Sequence, residues 1–270
     1  MQAHAPIGKF EFLARTAWRV IRRTRIDRDK ANVLSEYSEG WNKYRTYLKE
    51  SGSLDEWLSI AGLDNVSKFY NVSGQLSYEE FDSTEYYRRT LLDALRRYFP
   101  GFQSIAEYGA GVGRNLLFLK REMPHIEAYG YELCEPGVDV AQAAAGKFGL
   151  EVKYAQLDYL KDPAEKYLFP ETDVAFTMFS LEQLPRQNAK AVRNILDHAR
   201  LGTLHMEPVP ENYPVTLRGM LGRLDHWKVD YLSGFDRAVR ALALRDVVVE
   251  RLDSAHNPLM FPSLYVLKKA

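Results

Sequence analysis

Apolar residues recur at helical spacing through the first hundred positions, then regroup into short strand-like runs after Phe99-Pro100-Gly101. Between Lys9 and Arg25 the residues Phe10, Leu13, Ala14, Ala17 and Ile21 trace one apolar stripe. Arg15, Arg19, Arg22, Arg23 and Arg25 fill the remaining surface of that predicted helix. A second helix is predicted from Lys30 to Glu50 and a short one around Leu54 to Ala61. Residues 69–87 read as a loop rich in Tyr, Ser and Glu. It leads into a helix from Ser83, taken as N-cap, to Tyr98. No strand is predicted before Phe99.

Beyond Gly101 strands and helices alternate, the pattern of a mostly parallel sheet covered by helices. Strands are predicted at Ser104–Tyr108, Ala128–Leu133, Val152–Gln156, Asp173–Phe179, Thr203–Glu207, Asp246–Leu252 and Ser263–Lys268. Helices are predicted at Arg114–Glu122, Gly137–Phe148 and Asn188–Ala199. The short link between the last two strands implies an antiparallel closure. The expected fold class is α/β, a seven-stranded, mostly parallel sheet with an antiparallel last strand. Residues 1–99 form an N-terminal helical cap or lid, and 100–270 the sheet domain.

Composition narrows the function. Lys+Arg and Asp+Glu number 36 each, so the net basic footprint of a nucleic-acid binder is missing and no nucleic-acid partner is expected. The single cysteine, Cys134, rules out an intramolecular disulfide and a cysteine-based metal cluster, and reads as a small buried residue. No metal site is expected, because neither an H-x-x-x-H pair nor clustered strand-end aspartates occur. No apolar run approaches the roughly 20 residues that span a bilayer, and no secretory leader is visible, so a cytoplasmic location is expected.

Glu107-Tyr108-Gly109-Ala110-Gly111-Val112-Gly113 follows the first sheet strand and opens a helix. Glycines allow a sharp turn and close approach of a ligand, and the helix start behind them offers free N–H groups. The third glycine comes one residue too early for a dinucleotide fingerprint, with Arg114 in its place. Glu107 would repel a pyrophosphate but suits a cationic ligand.

This segment resembles the first motif of class I S-adenosylmethionine-dependent methyltransferases, E/D-x-G-x-G-x-G, at every fixed position, and the likeness extends over about 100–268. The resemblance implies a Rossmann-like domain with S-adenosylmethionine as cofactor, Glu132 at the end of the second strand on the ribose, and Asp158 facing the adenine. It also implies that the segment from Phe179 through Leu181-Glu182-Gln183-Leu184-Pro185 lines cofactor and acceptor, with Gln183 where relatives often carry His. Glu107, Gly109, Gly111, Gly113, Asn115, Glu132, Leu133, Gln156, Asp158 and Phe179 are the expected cofactor contacts.

Methyl transfer needs an in-line approach, and an alcohol acceptor also gains from a general base. His205 and Glu207 share one face at the end of the fifth strand, so either could serve, or both could simply fix the loop that follows. Glu182 and His226 are the further catalytic candidates. The acceptor is expected to be a small molecule or glycan hydroxyl, with a small-molecule amine or a non-catalytic binding module as alternatives. The tyrosines and phenylalanines at 70–87 suit a lid over a polyhydroxylated acceptor. The helix at 9–25 either covers the protein's own core or meets an anionic membrane surface or acidic partner.

Overall fold

A computed structural model describes residues 7–60, 69–78, 81–161, 168–242 and 244–269. The first part holds α1 (Lys9–Arg22), α2 (Lys30–Glu50), α3 (Leu54–Ser59), β1 (Tyr70–Val72), β2 (Gln75–Ser77) and α4 (Ser83–Tyr98). Next come β3 (Ser104–Tyr108), α5 (Arg114–Glu122), β4 (Glu127–Glu132), α6 (Glu135–Phe148) and β5 (Val152–Gln156). They are followed by β6 (Thr172–Met178), α7 (Asn188–Asp197), β7 (Ala199–Glu207), α8 (Leu217–Lys228), α9 (Phe235–Arg240), β8 (Asp246–Arg251) and β9 (Ser263–Lys268).

The sheet runs β5-β4-β3-β6-β7-β9-β8, with β9 antiparallel to both of its neighbours. The order of strand addition reverses beside β3, which pairs in parallel with β4 on one side and β6 on the other. Such a switch point opens a crevice at the carboxyl ends of the strands.

One apolar cluster joins Ile105 and Phe176 of the sheet to Leu91 and Leu95 of α4 and Leu116 of α5. Tyr44 of α2 and Trp57 of α3 belong to the same cluster, so the N-terminal helices share the sheet's core. The opposite face packs Tyr131, Ala175 and Tyr265 against Val192 and Ile195 of α7 and Phe235 of α9.

Several elements depart from the sequence-based reading. The expected loop at 69–87 contains the β1–β2 hairpin, turned at Ser73 and Gly74, which both take positive φ. Strands of three residues are too short to reveal an alternating pattern. Asp82, not Ser83, caps α4, its Oδ1 accepting the Glu85 N–H at 2.9 Å. Two helices, α8 and α9, fill the stretch between β7 and β8, where none was predicted. The end of the short helix expected at Ala61 lies outside the described residues. On α1 the buried positions are Thr16 and Val20. Of the predicted stripe, Leu13 and Ala17 are half-buried, with Ala17 packed beside Val20, while Phe10, Ala14 and Ile21 face outward, so only part of the stripe packs.

Candidate functional site

A cavity of about 540 Å³ lies over the carboxyl ends of β3, β4 and β6 and beneath α2 and the start of α4. Its size falls in the range of small-molecule sites. The floor is the glycine-rich turn. Gly109 has φ +79°, and a Cβ there would run into the Ser180 side chain. Gly111 has φ +54°, and a Cβ would meet the Trp41 ring at 3.0 Å. Gly113, also at positive φ, starts α5.

Glu107 sits fully in the interior beneath this turn. Its Oε1 accepts the Asn115 amide at 2.7 Å, and Asn115 Oδ1 in turn faces the buried Arg88 guanidinium at 3.4 Å. Its Oε2 is buried with no hydrogen-bond partner. Desolvation raises the Glu107 carboxyl to about 8, against the opposing pulls of Asn115 and Arg88. Glu132 ends β4 with both oxygens engaged, accepting the N–H of Gly111 at 2.8 Å and of Cys134 at 3.0 Å. Burial raises its carboxyl as well, and the backbone donors moderate the shift. Asp158 lines the cavity beyond β5 and pairs with Lys30 at 2.6 Å.

The other half of the cavity is built on the segment after β6. Phe179 adopts φ +54°, a rare conformation for a phenylalanine, and its N–H is tied to the Met206 carbonyl at 3.0 Å. Tyr87 and His256 pack on its ring, and the Tyr87 hydroxyl meets His256 Nδ1 at 3.1 Å. A one-turn 3-10 helix at 181–183 then presents Glu182 and Gln183 to the cavity. Gln183 donates to Glu182 Oε1 at 3.0 Å and leaves its own Oε1 buried without a partner. From above, α2 lowers Tyr37 and Trp41 into the space, and the Trp41 indole N–H is likewise unpartnered. Desolvation, then the charge of Glu182, pushes the Tyr37 hydroxyl well above its usual value.

Of the cofactor contacts expected from the sequence, Gly109, Gly111, Asn115, Glu132, Leu133, Asp158 and Phe179 line the cavity. Glu107, Gly113 and Gln156 stand one layer back. Gln156 donates to the Leu133 carbonyl at 2.9 Å and so positions that residue.

Three catalytic candidates lie elsewhere. His205 is wholly buried under α9, bonded to Thr177 at 3.0 Å and Thr203 at 2.9 Å, with burial lowering it to about 3. That imidazole cannot act as a base on a ligand in the cavity. Glu207 is also wholly buried, and accepts the N–H groups of Ser180, Leu181 and Glu182 at 3.1–3.2 Å. It therefore caps the 3-10 turn after β6, instead of the loop after its own strand. His226 is buried on α8, bonded to the Leu232 carbonyl at 2.9 Å, and lowered to about 4 by desolvation. Glu182 alone of the four lines the cavity.

Sequence reasoning missed Tyr37, Trp41, Arg88 and His256. The signal for the first two was present, since Tyr37, Trp41 and Tyr44 stand at i, i+4 and i+7 on α2. Among the described residues no group of three or more His, Cys, Asp or Glu could hold a metal ion.

The strand order, the glycine-rich turn after β3 and the crevice above it define the class I S-adenosylmethionine-dependent methyltransferase fold. The chain is similar along nearly its whole length to solved structures of this fold. The [4+2]-cyclase SpnF matches at TM-score 0.59 and 14% identity, covering 92% of this chain and 99% of its own. Magnesium protoporphyrin IX methyltransferase (ChlM) of Synechocystis PCC 6803, solved with bound S-adenosylhomocysteine, matches at 0.56 and 13%, covering 90% and 100%. The plantazolicin methyltransferase BpumL, in complex with a pentazolic desmethylPZN analog and S-adenosylhomocysteine, matches at 0.54 and 10%, covering 88% and 99%. No protein-family model matches the chain, and no curated protein matches it in sequence.

Proposed function

We propose that the protein is an S-adenosylmethionine-dependent methyltransferase that O-methylates a hydroxyl group of a small molecule or glycan. The observation that carries this reading is the Glu107 carboxyl. It lies buried one layer behind the glycine turn, with one oxygen unpartnered, and its charge would favour a cationic amino group held over the turn. The cofactor, when bound, supplies a methyl group already activated on a sulfonium sulfur. Gly109 and Gly111 would let the backbone approach its aminoacyl part, Glu132 would hold the ribose, and Asp158 would face the adenine.

Glu182 would accept the acceptor's proton, with Gln183 and Tyr37 orienting the hydroxyl; that all three line the cavity supports this reading. The rings of Tyr87 and Phe179, tilted 55° to each other, offer an aromatic corner against which a sugar or aromatic ring could rest. A second reading, N-methylation of an amine, is favoured by this same pairing of aromatic walls with a carboxylate, which suits a cation. The cyclase among the structural neighbours is a reminder that this fold also carries other chemistry. A cytoplasmic location fits the single, buried Cys134.

The test is transfer of a labelled methyl group to a panel of sugars, phenols and amines. Glu182→Gln is expected to lower turnover by about 10²–10⁴-fold on a hydroxyl acceptor while cofactor affinity stays within a few-fold. Full turnover in Glu182→Gln would remove it as the base. Transfer to amines alone would select the second reading.

A further inference from the structure

We infer that the paired outer faces of α1 and α8 form a docking surface for an anionic lipid bilayer, placed beside the mouth of the cavity. On α1, Phe10, Ala14, Trp18 and Ile21 follow i, i+4, i+8 and i+11, a single helical face. Phe10 is 90% exposed, and Trp18 and Ile21 are each more than half exposed. α8 packs against α1 and turns Leu217, Met220 and Trp227 outward, each again more than half exposed. Val20, Leu221 and Leu259 are buried at this contact with Ala17 and Leu224 partly covered beside them, a small cluster that leaves the large outward apolar side chains of both helices bare. Isolated exposed apolar residues are ordinary, but two neighbouring helices that each bare three large ones are not.

Charge selects the occupant. Arg15, Arg19 and Arg22 stand at i, i+4 and i+7, directly flanking the apolar face of α1. Against them stands one acid of the same helix, Glu11, paired with Arg15 at 2.5 Å. The acid nearest on α8, Asp225, is paired with Arg23 at 2.8 Å. Arg22 lies over the Trp18 ring at 4.8 Å, and Arg25, just beyond α1, lies over the Trp227 ring of α8 at 4.9 Å, so each exposed indole carries a guanidinium at its own level. Amphipathic aromatics at the same height as guanidinium groups match the headgroup boundary of an anionic leaflet, where apolar side chains sink and arginines meet phosphates.

Position links this surface to the site. The chain leaving α1 is anchored to the end of α8 by the Ile26 N–H on the Lys228 carbonyl at 2.9 Å, and then supplies Arg28, Asp29 and Lys30 to the cavity wall. An acceptor held in a bilayer would thus reach the mouth as the surface docks. This consequence rests on the methyltransferase reading, whereas docking itself does not.

The test is co-sedimentation of the 270-residue chain with vesicles of phosphatidylcholine, alone or mixed with phosphatidylglycerol. The expected result is sedimentation with the mixed vesicles only, weakened at about 0.5 M salt, where screening shortens to a few ångström. Each of Arg15→Gln, Arg19→Gln and Arg22→Gln is expected to weaken it by about fivefold. The triple variant Phe10→Ser, Trp18→Ser, Ile21→Ser and, separately, the triple variant Leu217→Ser, Met220→Ser, Trp227→Ser are expected to abolish it. Trp18 and Trp227 are exposed, while Trp57 is buried and Trp41 half-buried at the cavity, so a blue shift of tryptophan emission on the vesicles should vanish in Trp18→Phe, Trp227→Phe. No sedimentation with either vesicle, or equal sedimentation with both, overturns the proposal. So does a dimer in velocity sedimentation that the α1 variant dissolves, since the face would then be covered by a second copy. S-adenosylhomocysteine binding, measured on the same variants, should be unchanged. Its loss in the wild type would instead overturn the reading of the site.

Discussion

At the scale of single residues, burial assigns the roles. Glu107, Glu182 and Glu207 are all buried acids near the ends of β3, β6 and β7, yet each meets a different set of partners. Glu207 satisfies three consecutive backbone donors, so Glu207→Ala is expected to cost about 2–5 kcal/mol in unfolding experiments, because those donors lose their acceptor inside the protein. A drop in melting temperature no larger than that of an exposed substitution would show that the turn at 181–183 does not depend on it. Glu107 is held largely protonated near neutral pH, at about 8, and a cationic ligand over the glycine turn in front of it would favour the ionised form. Binding of S-adenosylhomocysteine is therefore expected to release a proton below about pH 8 and to tighten as pH rises from about 6 to 8. Calorimetry in buffers of different ionisation heat reads that proton directly. Glu107→Gln should bind more weakly and lose the pH dependence, and an unchanged profile would remove Glu107 from the site.

At the scale of elements, what the sequence revealed depended on how strongly each element repeats its pattern. β3, β5, β9, α2 and α5 have the predicted bounds, because each carries a clear period and a clear stop, such as the glycine turn before α5. The glycine turn was legible because its spacing is local. His205 and Glu207 were read correctly as sharing a face of β7, but alternation cannot say which layer covers that face. Here α9 and the turn after β6 do. The lid was expected at the aromatic run 69–87, and its Tyr87 does line the cavity. Tyr37 and Trp41 come instead from α2, whose overlap with the site is a tertiary fact.

α2 and the chain leading into it are held down at their edges by exposed ion pairs: Lys30 with Asp158, Arg45 with Asp139, and Asp27 with Arg186. Such pairs are worth about 0–1 kcal/mol each, whereas Tyr44 and Leu48 anchor the second half of α2 in the shared core, so only the start of the helix can lift at little cost. Hydrogen exchange of residues 30–41 is accordingly expected to slow when S-adenosylhomocysteine binds and to quicken in high salt without it. Equal exchange with and without ligand would mean that α2 is a fixed wall.

At the scale of the whole molecule, the buried titratable groups give stability an unusual pH dependence. Glu107 and Glu207 are raised from an ordinary 4.5 to about 8 and about 7, so the folded protein keeps protons that the unfolded chain has released. Stability therefore falls as pH rises through this window. His205 and His226 are lowered from 6.5 to about 3 and about 4, so the unfolded chain takes up protons first and stability falls as pH drops below 6.5. Between 4.5 and 6.5 the two trends oppose each other, which leaves a decline from about pH 6.5 to 8 as the clear signal. Thermal unfolding across that interval checks it, and S-adenosylhomocysteine should reduce the decline by giving ionised Glu107 a cationic partner. A flat or rising profile would mean that these acids are ionised in the folded state.

All of this turns on what occupies the crevice above the glycine turn. The most direct measurement is calorimetric titration of the protein with S-adenosylhomocysteine and, in parallel, with NAD. The expected result is one-site binding of S-adenosylhomocysteine in the micromolar range, weakened by about 1–3 kcal/mol in Glu132→Ala, and no heat with NAD. Absence of S-adenosylhomocysteine binding, or binding that Glu132→Ala leaves untouched, would contradict it.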